Sequence, residues 1–190
     1  MRIKYNAPTV LTFAFLSAIV LILSQTVAHS LMKQWFAVPG KGEFSTGSIR
    51  NWVNLFTHVL GHNDWPHLVS NFSFILLIGP ILEEIYGSVS LWIMICITAL
   101  VTGALNAVFF SSGLLGASGV VFMMILLGSF TNFSRGEIPL TFILVLILFL
   151  GRELYSSFAS NGAGVSQFAH IVGGFIGSLF GFFRVTVRRP

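Results

Sequence analysis

The stretch VSLWIMICITALVTGALNAVFF, residues 89–110, runs for about 20 residues without a charged side chain. At about 1.5 Å per helical residue, such a segment spans the roughly 30 Å hydrocarbon core of a bilayer. Similar apolar runs recur along the whole chain. Only 8% of its residues are charged, against roughly 25% in soluble domains. The sequence therefore predicts a membrane protein.

Six apolar spans are predicted, so the fold class is all-α: one polytopic six-helix bundle formed by residues 1–190. The spans are 8–28, 66–86, 89–110, 118–132, 138–155 and 167–183. The first span is long for a signal peptide and is predicted to be retained. The long external loop 29–65 is rich in aromatic residues and is predicted to fold against the membrane face.

The basic residues indicate topology rather than a nucleic-acid partner. The net charge is +4, but these residues lie beside apolar runs near the chain ends, not in one patch. An even number of spans then puts both tails, 1–7 and 184–190, in the cytoplasm by the positive-inside rule. Cys96 is the only cysteine, which excludes a disulfide framework and a cysteine metal site.

Four polar residues from three spans share one predicted depth: His67 and Asn71, Ser118, and His170. Counting back from the first charged residue at the inner end of each span places them about 18 to 25 Å above the inner surface. Burying one such group alone in lipid costs free energy. A common depth therefore predicts a shared cavity that contains water.

This polar layer has the groups that acyl transfer requires, apart from a carboxylate. A serine and one histidine supply a nucleophile and a general base, while the second histidine and the asparagine can donate to an oxyanion. The pattern predicts a Ser/His dyad rather than a triad. Gly116 and Gly119 flank Ser118 at a predicted loop-to-helix turn, where close backbone approach is needed and the helix N-terminus favours negative charge.

Three motifs resemble those of the rhomboid intramembrane serine proteases: HLVSN at 67–71, GASG at 116–119 and AHIVGGFIG at 169–177. The resemblance covers about residues 52–183. It implies a serine endopeptidase of the bacterial inner membrane that cuts transmembrane segments of protein substrates near their outer ends, without a cofactor or metal. It also implies Ser118 as nucleophile and His170 as general base and acid. His67, Asn71 and the Ser118 N–H would form the oxyanion hole.

The resemblance further implies supporting residues. Phe122 stands where many bacterial members have a tyrosine, and would stack on His170. Independently of the resemblance, Gly173, Gly177 and Gly181 are spaced four residues apart, which predicts that span six packs closely against span four. The order Arg50, Asn51, Trp52 departs from the Trp-Arg pair that is common in the family's first loop.

His58 and His62 would brace the first external loop and help to hold water, although an i,i+4 histidine pair is also compatible with a metal site. Thr102 and Asn106 are predicted either to hold the hydrolytic water or to bond between helices. Two other functions stay open from the residues. One is an inactive rhomboid-like protein that binds or escorts transmembrane helices, and the other is a haem or metal carrier that uses two histidines.

The fifth span is predicted to be short at its outer end. Few apolar residues separate Glu137 from Arg152 and Glu153, which puts these two charges level with the predicted active site. The span either ends early in a thin bilayer or swings aside as a lateral gate for a substrate helix.

Overall fold

The computed structural model describes residues 3–129 and 164–187, with short pieces at 140, 143–144 and 147–148. For residues 164–168, 170 and 182–187 it describes the helical backbone alone. The predicted fifth span, with Arg152 and Glu153, falls almost entirely outside the described residues, and its gating role stays a prediction.

The regular structure of the described residues is helical. The α-helices are α1 (Pro8–Thr26), α2 (Leu31–Trp35), α3 (Ile49–Thr57), α4 (Trp65–Tyr86), α5 (Ser88–Phe109), α6 (Ser118–Ser129) and α7 (Gly164–Val187). A 3₁₀ helix, His58–Leu60, follows α3. β-pairing in this part of the chain is limited to an isolated bridge between Val38 and Leu114. The predicted all-α fold class is confirmed.

The described helices follow the predicted spans closely. Among them, α1, α4 and α5 are long and apolar enough to cross a membrane, and each begins within one residue of its predicted start. A proline in the first turn fits both α1 and α4, because proline has no N–H to leave unpaired there. α6 begins at the predicted Ser118, whereas α7 extends beyond the predicted 167–183 at both ends.

α1 packs along α4 through a small residue. A Cβ added to Gly79 would lie 2.7 Å from a methyl carbon of Val10, so the glycine lets the two helices approach closely. Further along the same contact, the Phe13 and Phe72 rings lie 5.2 Å apart. Phe13 is fully buried, and burial of such a side chain stabilises the fold by about 1.5 to 3 kcal/mol.

The last turns of α4 also cap the start of α1. The buried Glu83 carboxylate accepts hydrogen bonds from the backbone N–H groups of Thr9 at 2.8 Å and Val10 at 3.1 Å. The Thr9 hydroxyl donates to the carbonyl oxygen of Ser88. These bonds satisfy backbone donors that every helix leaves unpaired in its first turn, and they place a negative charge at the positive end of the helix dipole.

The long loop after α1 is folded onto the bundle. Asn54 on α3 donates from Nδ2 to the carbonyl oxygens of Gln34 at 3.2 Å and Ala37 at 2.8 Å, which ties α3 to the start of the loop. The Leu55 backbone on α3 lies against Gly103 of α5, where an added Cβ would come within 3.2 Å of it. α3 is thereby held against α5.

Arg50 and Trp52 each have their own partner in this loop. The Arg50 guanidinium carbon lies 5.2 Å from the centre of the Trp35 ring, a cation–π distance. The Trp52 indole donates to the carbonyl oxygen of Thr46 at 2.9 Å and packs edge-on against Phe44. The altered residue order therefore fits into a packed loop.

Candidate active site

α6 and α7 meet backbone to backbone beside the predicted nucleophile. A Cβ added to Gly173 would collide with the Gly119 carbonyl oxygen, and one added to Gly119 would lie 3.3 Å from the carbonyl oxygen of Ala169. Small residues of this kind allow helices to pack closely. Since Ser118 precedes Gly119 and His170 follows Ala169, their backbones lie in adjacent turns of two touching helices.

The loop before α6 is shaped by a glycine. Gly116 has a φ of 121°, which residues with a side chain rarely adopt. Its N–H donates to the carbonyl oxygen of His58 at 3.0 Å, so the loop is anchored to the 3₁₀ helix. Ser118, which is half-buried, then opens α6. The N–H groups of a first helical turn lack intrahelical acceptors and favour a nearby negative charge.

His67 and Asn71 of α4 lie directly beside this loop. They are one helical turn apart and share a face. A Cβ added to Gly116 would lie 2.9 Å from His67 Nε2 and 3.9 Å from Asn71 Nδ2. Asn71 is buried, and its Nδ2 has no hydrogen-bond partner among the described residues. The Asp64 carboxylate accepts from the His67 backbone N–H at 2.7 Å and caps α4.

His58 is buried between the loop and α5. Its Nδ1 lies 3.2 Å from the Asn54 carbonyl oxygen, and its Nε2 lies 3.4 Å from Thr102 Oγ1. Because a carbonyl oxygen only accepts, Nδ1 carries the proton. Burial lowers the pKa of His58 from 6.5 to about 4, so the side chain is neutral at pH 7.

His62 is fully buried and contacts His67. The two rings lie 5.0 Å apart, with an angle of 66° between their planes. His62 Nδ1 lies 3.2 Å from the Leu60 carbonyl oxygen, whereas Nε2 has no hydrogen-bond partner in the described part of the chain. Burial, and then the charge that His67 can carry, lower the pKa of His62 to about 4.

Comparison with known proteins identifies the family. The family model of the rhomboid domain matches residues 50–187. The chain belongs to the rhomboid family. A curated relative, the rhomboid protease GlpG of Haemophilus influenzae, is 24% identical over 136 residues, which make up 70% of this chain and 70% of that protein. The predicted resemblance is confirmed, and with it an integral membrane protein related to proteases that act on membrane proteins.

The structure brings several residues of the rhomboid motifs together. Gly116, in the loop that leads to Ser118, lies beside His67 and Asn71, and the helix turn that contains His170 lies against α6. The structure describes the backbone of His170, and its side chain lies outside the described part, so the dyad remains a prediction.

The residues predicted to support the dyad and the first loop lie on α6, in the contact between α6 and α7, and around the 3₁₀ helix. Phe122 is half-buried one turn after Ser118, and Gly173 is in the helix contact. His58 and His62 lie in and just after the 3₁₀ helix.

Sequence reasoning missed the capping role of Asp64. An acidic residue immediately before Trp-Pro is a helix-start signal that could have indicated it. It also missed the contact between Thr102 and His58, for which the sequence contains no local signal because the two residues belong to different elements.

Proposed function

We propose that this rhomboid-family protein is an intramembrane serine endopeptidase that cleaves transmembrane segments of other membrane proteins with a Ser118/His170 dyad. His67, Asn71 and the Ser118 N–H form the oxyanion hole. Both chain termini lie in the cytoplasm, and the polar layer is on the opposite side of a bacterial inner membrane.

The observation that carries this proposal is the position of the Gly116–Gly119 segment between two elements. On one side it contacts His67 and Asn71 of α4, and on the other it contacts the Ala169–Gly173 turn of α7. A nucleophile at this point has potential donors on one side and the backbone of the predicted base on the other. Nucleophilic catalysis requires a nucleophile, a base and oxyanion donors to converge on one point.

In the first step, Ser118 Oγ attacks the carbonyl carbon of the scissile peptide while its proton moves to a ring nitrogen of His170. The carbonyl oxygen becomes an oxyanion. Asn71 Nδ2 supports this assignment, because a buried N–H donor with no partner in the described part of the chain already lies beside the loop. A preorganised donor of this kind stabilises the charge that develops in the transition state.

In the second step, the protonated His170 gives its proton to the leaving nitrogen, the C–N bond breaks and an acyl-enzyme remains. A water molecule then attacks the acyl carbon as His170 takes one of its protons. Return of that proton to Ser118 Oγ releases the new carboxyl group. The cycle consumes one water and needs no metal or cofactor.

The substrates must expose a carbonyl group that helical hydrogen bonding normally shields. A transmembrane segment can do so only where its helix unwinds and the freed backbone groups find water or protein partners. We therefore expect substrates with Gly, Pro or small polar residues near the end of the span that meets the polar layer. Single-span proteins provide the simplest test.

The test is cleavage of a panel of single-span substrates by purified protein in liposomes. Ser118→Ala and His170→Ala are each expected to lower kcat by about 10⁴-fold or more, because either loss disables the dyad. A fluorophosphonate probe should label the wild type and fail to label Ser118→Ala.

Ser129→Ala is a matched control on the same helix. The Ser129 hydroxyl donates to the Ile125 carbonyl oxygen at 3.0 Å, away from the predicted site. This variant should cleave and be labelled like the wild type. Folded wild-type protein that takes up no probe and cleaves no substrate would favour a helix-binding protein without protease activity.

A further inference from the structure

One ring nitrogen of His62 has no hydrogen-bond partner among residues 3–129 and 164–187, and peptide hydrolysis does not use it. The side chain is 0% exposed, and its Nδ1 bonds to the Leu60 carbonyl oxygen. A carbonyl oxygen accepts, so the proton of the neutral ring is on Nδ1 and the lone pair is on Nε2. Metal-binding histidines typically have this arrangement, in which one ring nitrogen donates to a backbone carbonyl and the other binds the metal.

The neighbouring ring of His67 lies at the spacing of a second ligand. Two imidazole nitrogens about 2.0 to 2.1 Å from a tetrahedral Zn²⁺ put their ring centres about 5 Å apart. The His62 and His67 ring centres are 5.0 Å apart. His67 is only half-buried, so a hydrated cation can approach the pair from that side.

We propose that His62 and His67 form a two-histidine site for a divalent transition-metal ion such as Zn²⁺ or Cu²⁺. His62 binds through Nε2, His67 through one ring nitrogen, and water completes the coordination shell. Imidazole is a preferred ligand of both ions. Among the described residues there is no group of three or more His, Cys, Asp or Glu side chains that could hold a metal. With two protein ligands, binding is reversible and is removed by chelators.

Occupancy of this site inhibits cleavage. Coordination takes one nitrogen of His67 out of hydrogen bonding and puts a hydrated cation beside Gly116, where the carbonyl oxygen of a substrate would lie. This consequence rests on the proposed function, whereas metal binding itself does not. The two are separated by measuring binding on the protease-dead Ser118→Ala protein and inhibition on the wild type.

Zinc binding to Ser118→Ala protein is measured by competition with a chromophoric chelator. One equivalent should bind. His62→Gln and His67→Gln, each added to Ser118→Ala, should weaken the apparent affinity by more than the 10- to 100-fold typical of losing an outer-shell partner. His29→Gln is the matched control, because His29 is exposed and far along the chain from the pair. It should leave the affinity unchanged.

Two results would overturn the site. One is the absence of saturable zinc binding to folded Ser118→Ala protein. The other is binding that survives His62→Gln but disappears with His170→Gln, which would assign the metal to His67 and His170 instead. In the wild type, zinc should inhibit cleavage, EDTA should restore it, and the residual activity of His62→Gln should be insensitive to zinc.

A second measurement avoids any change at the buried His62. Electron paramagnetic resonance of Cu²⁺ bound to the Ser118→Ala/His170→Gln protein reports how many imidazole nitrogens coordinate the ion. Two nitrogens are expected. A signal from one nitrogen, or from none, contradicts the proposal even if His62→Gln fails to fold.

Discussion

Buried polar groups near the two ends of α4 differ in whether they are hydrogen-bonded. Near its C-terminal end, the Glu83 carboxylate accepts two backbone N–H groups of α1. Near its N-terminal end, Asn71 Nδ2 and the adjacent His62 Nε2 are buried without a partner among the described residues. An unpaired buried group costs about 1 to 3 kcal/mol, so satisfied groups contribute stability and unsatisfied ones are candidates for function.

This comparison predicts that polar substitutions at the two ends affect different quantities. Changes near Asn71 should lower catalytic rate and leave stability largely intact. Changes at Glu83 should lower stability and leave the catalytic rate intact, since Glu83 is more than four helical turns from His67 on α4.

Asn71→Ala should lower kcat by about 10²- to 10³-fold, the usual cost of losing one oxyanion donor. The free energy of unfolding should change little, because Asn71 Nδ2 has no partner to lose in the described part of the chain. Cleavage kinetics and thermal unfolding measure the two effects. Ser73→Ala on the same helix is the control, since the Ser73 hydroxyl is exposed and donates to the Val69 carbonyl oxygen one turn earlier. A large loss of stability in Asn71→Ala would contradict the division.

Acid should destabilise the protein through His58. Burial lowers its folded-state pKa to about 4 from 6.5, so between these values the unfolded chain binds more protons than the folded one. His58 therefore makes no destabilising contribution above about pH 6.5, and its contribution grows as the pH falls to 4. The free energy of unfolding is expected to be about 3 kcal/mol lower at pH 4 than at pH 7 because of His58.

His58→Gln isolates this effect when unfolding is followed across that pH range in the presence of EDTA. Between pH 7 and pH 4, the free energy of unfolding of the variant should fall by about 3 kcal/mol less than that of the wild type. His29→Gln, at an exposed histidine, should follow the wild-type curve. Parallel curves for wild type and His58→Gln would show that the buried ring does not carry the acid sensitivity.

Gly173→Ala should separate α6 from α7. The added Cβ would collide with the Gly119 carbonyl oxygen, and a backbone atom cannot move aside as a flexible side chain can. A shift of about 1 Å between catalytic groups can cost about 100-fold in rate, and overpacking costs about 1 to 3 kcal/mol. Both kcat and the unfolding temperature should fall.

Gly128→Ala, on the partner helix α6, is the matched control for Gly173→Ala. Its added Cβ would meet Ile78 at 3.6 Å and Leu82 at 3.9 Å, which are ordinary contact distances. Alanine also favours the helix over glycine by about 0.5 to 1 kcal/mol. Equal losses of kcat and of unfolding temperature in the two variants would mean that the collision at Gly173 does not determine the geometry of the active site.

The sequence predicts the helices because their causes are local. Apolar length, prolines in first turns and the glycines before Ser118 all act within a few residues, and α6 begins where they indicate. The loop after α1 depends on distant contacts instead. The Val38 bridge to Leu114 and the Asn54 bonds to Gln34 and Ala37 join residues that no local pattern connects.

The same distinction applies to the site. A count of helical rise predicts that His67, Asn71 and Ser118 share a depth, and the structure brings the first two beside the loop that leads to the third. Depth does not specify rotation about a helix axis or the path of a loop. The contact between the His62 and His67 rings therefore needed the folded chain.

Glu83→Gln tests the C-terminal end of α4. The amide keeps the shape and one acceptor oxygen but loses the charge, and charge-assisted hydrogen bonds are about twice as strong as neutral ones. The expected loss is about 1 to 2 kcal/mol in the free energy of unfolding, with kcat unchanged. Glu84→Gln removes the same charge from an exposed neighbour and should change stability by no more than about 0.5 kcal/mol. If Glu83→Gln instead lowers kcat at unchanged stability, weakening the hydrogen bonds that cap α1 alters the active site. The two ends of α4 are then not independent.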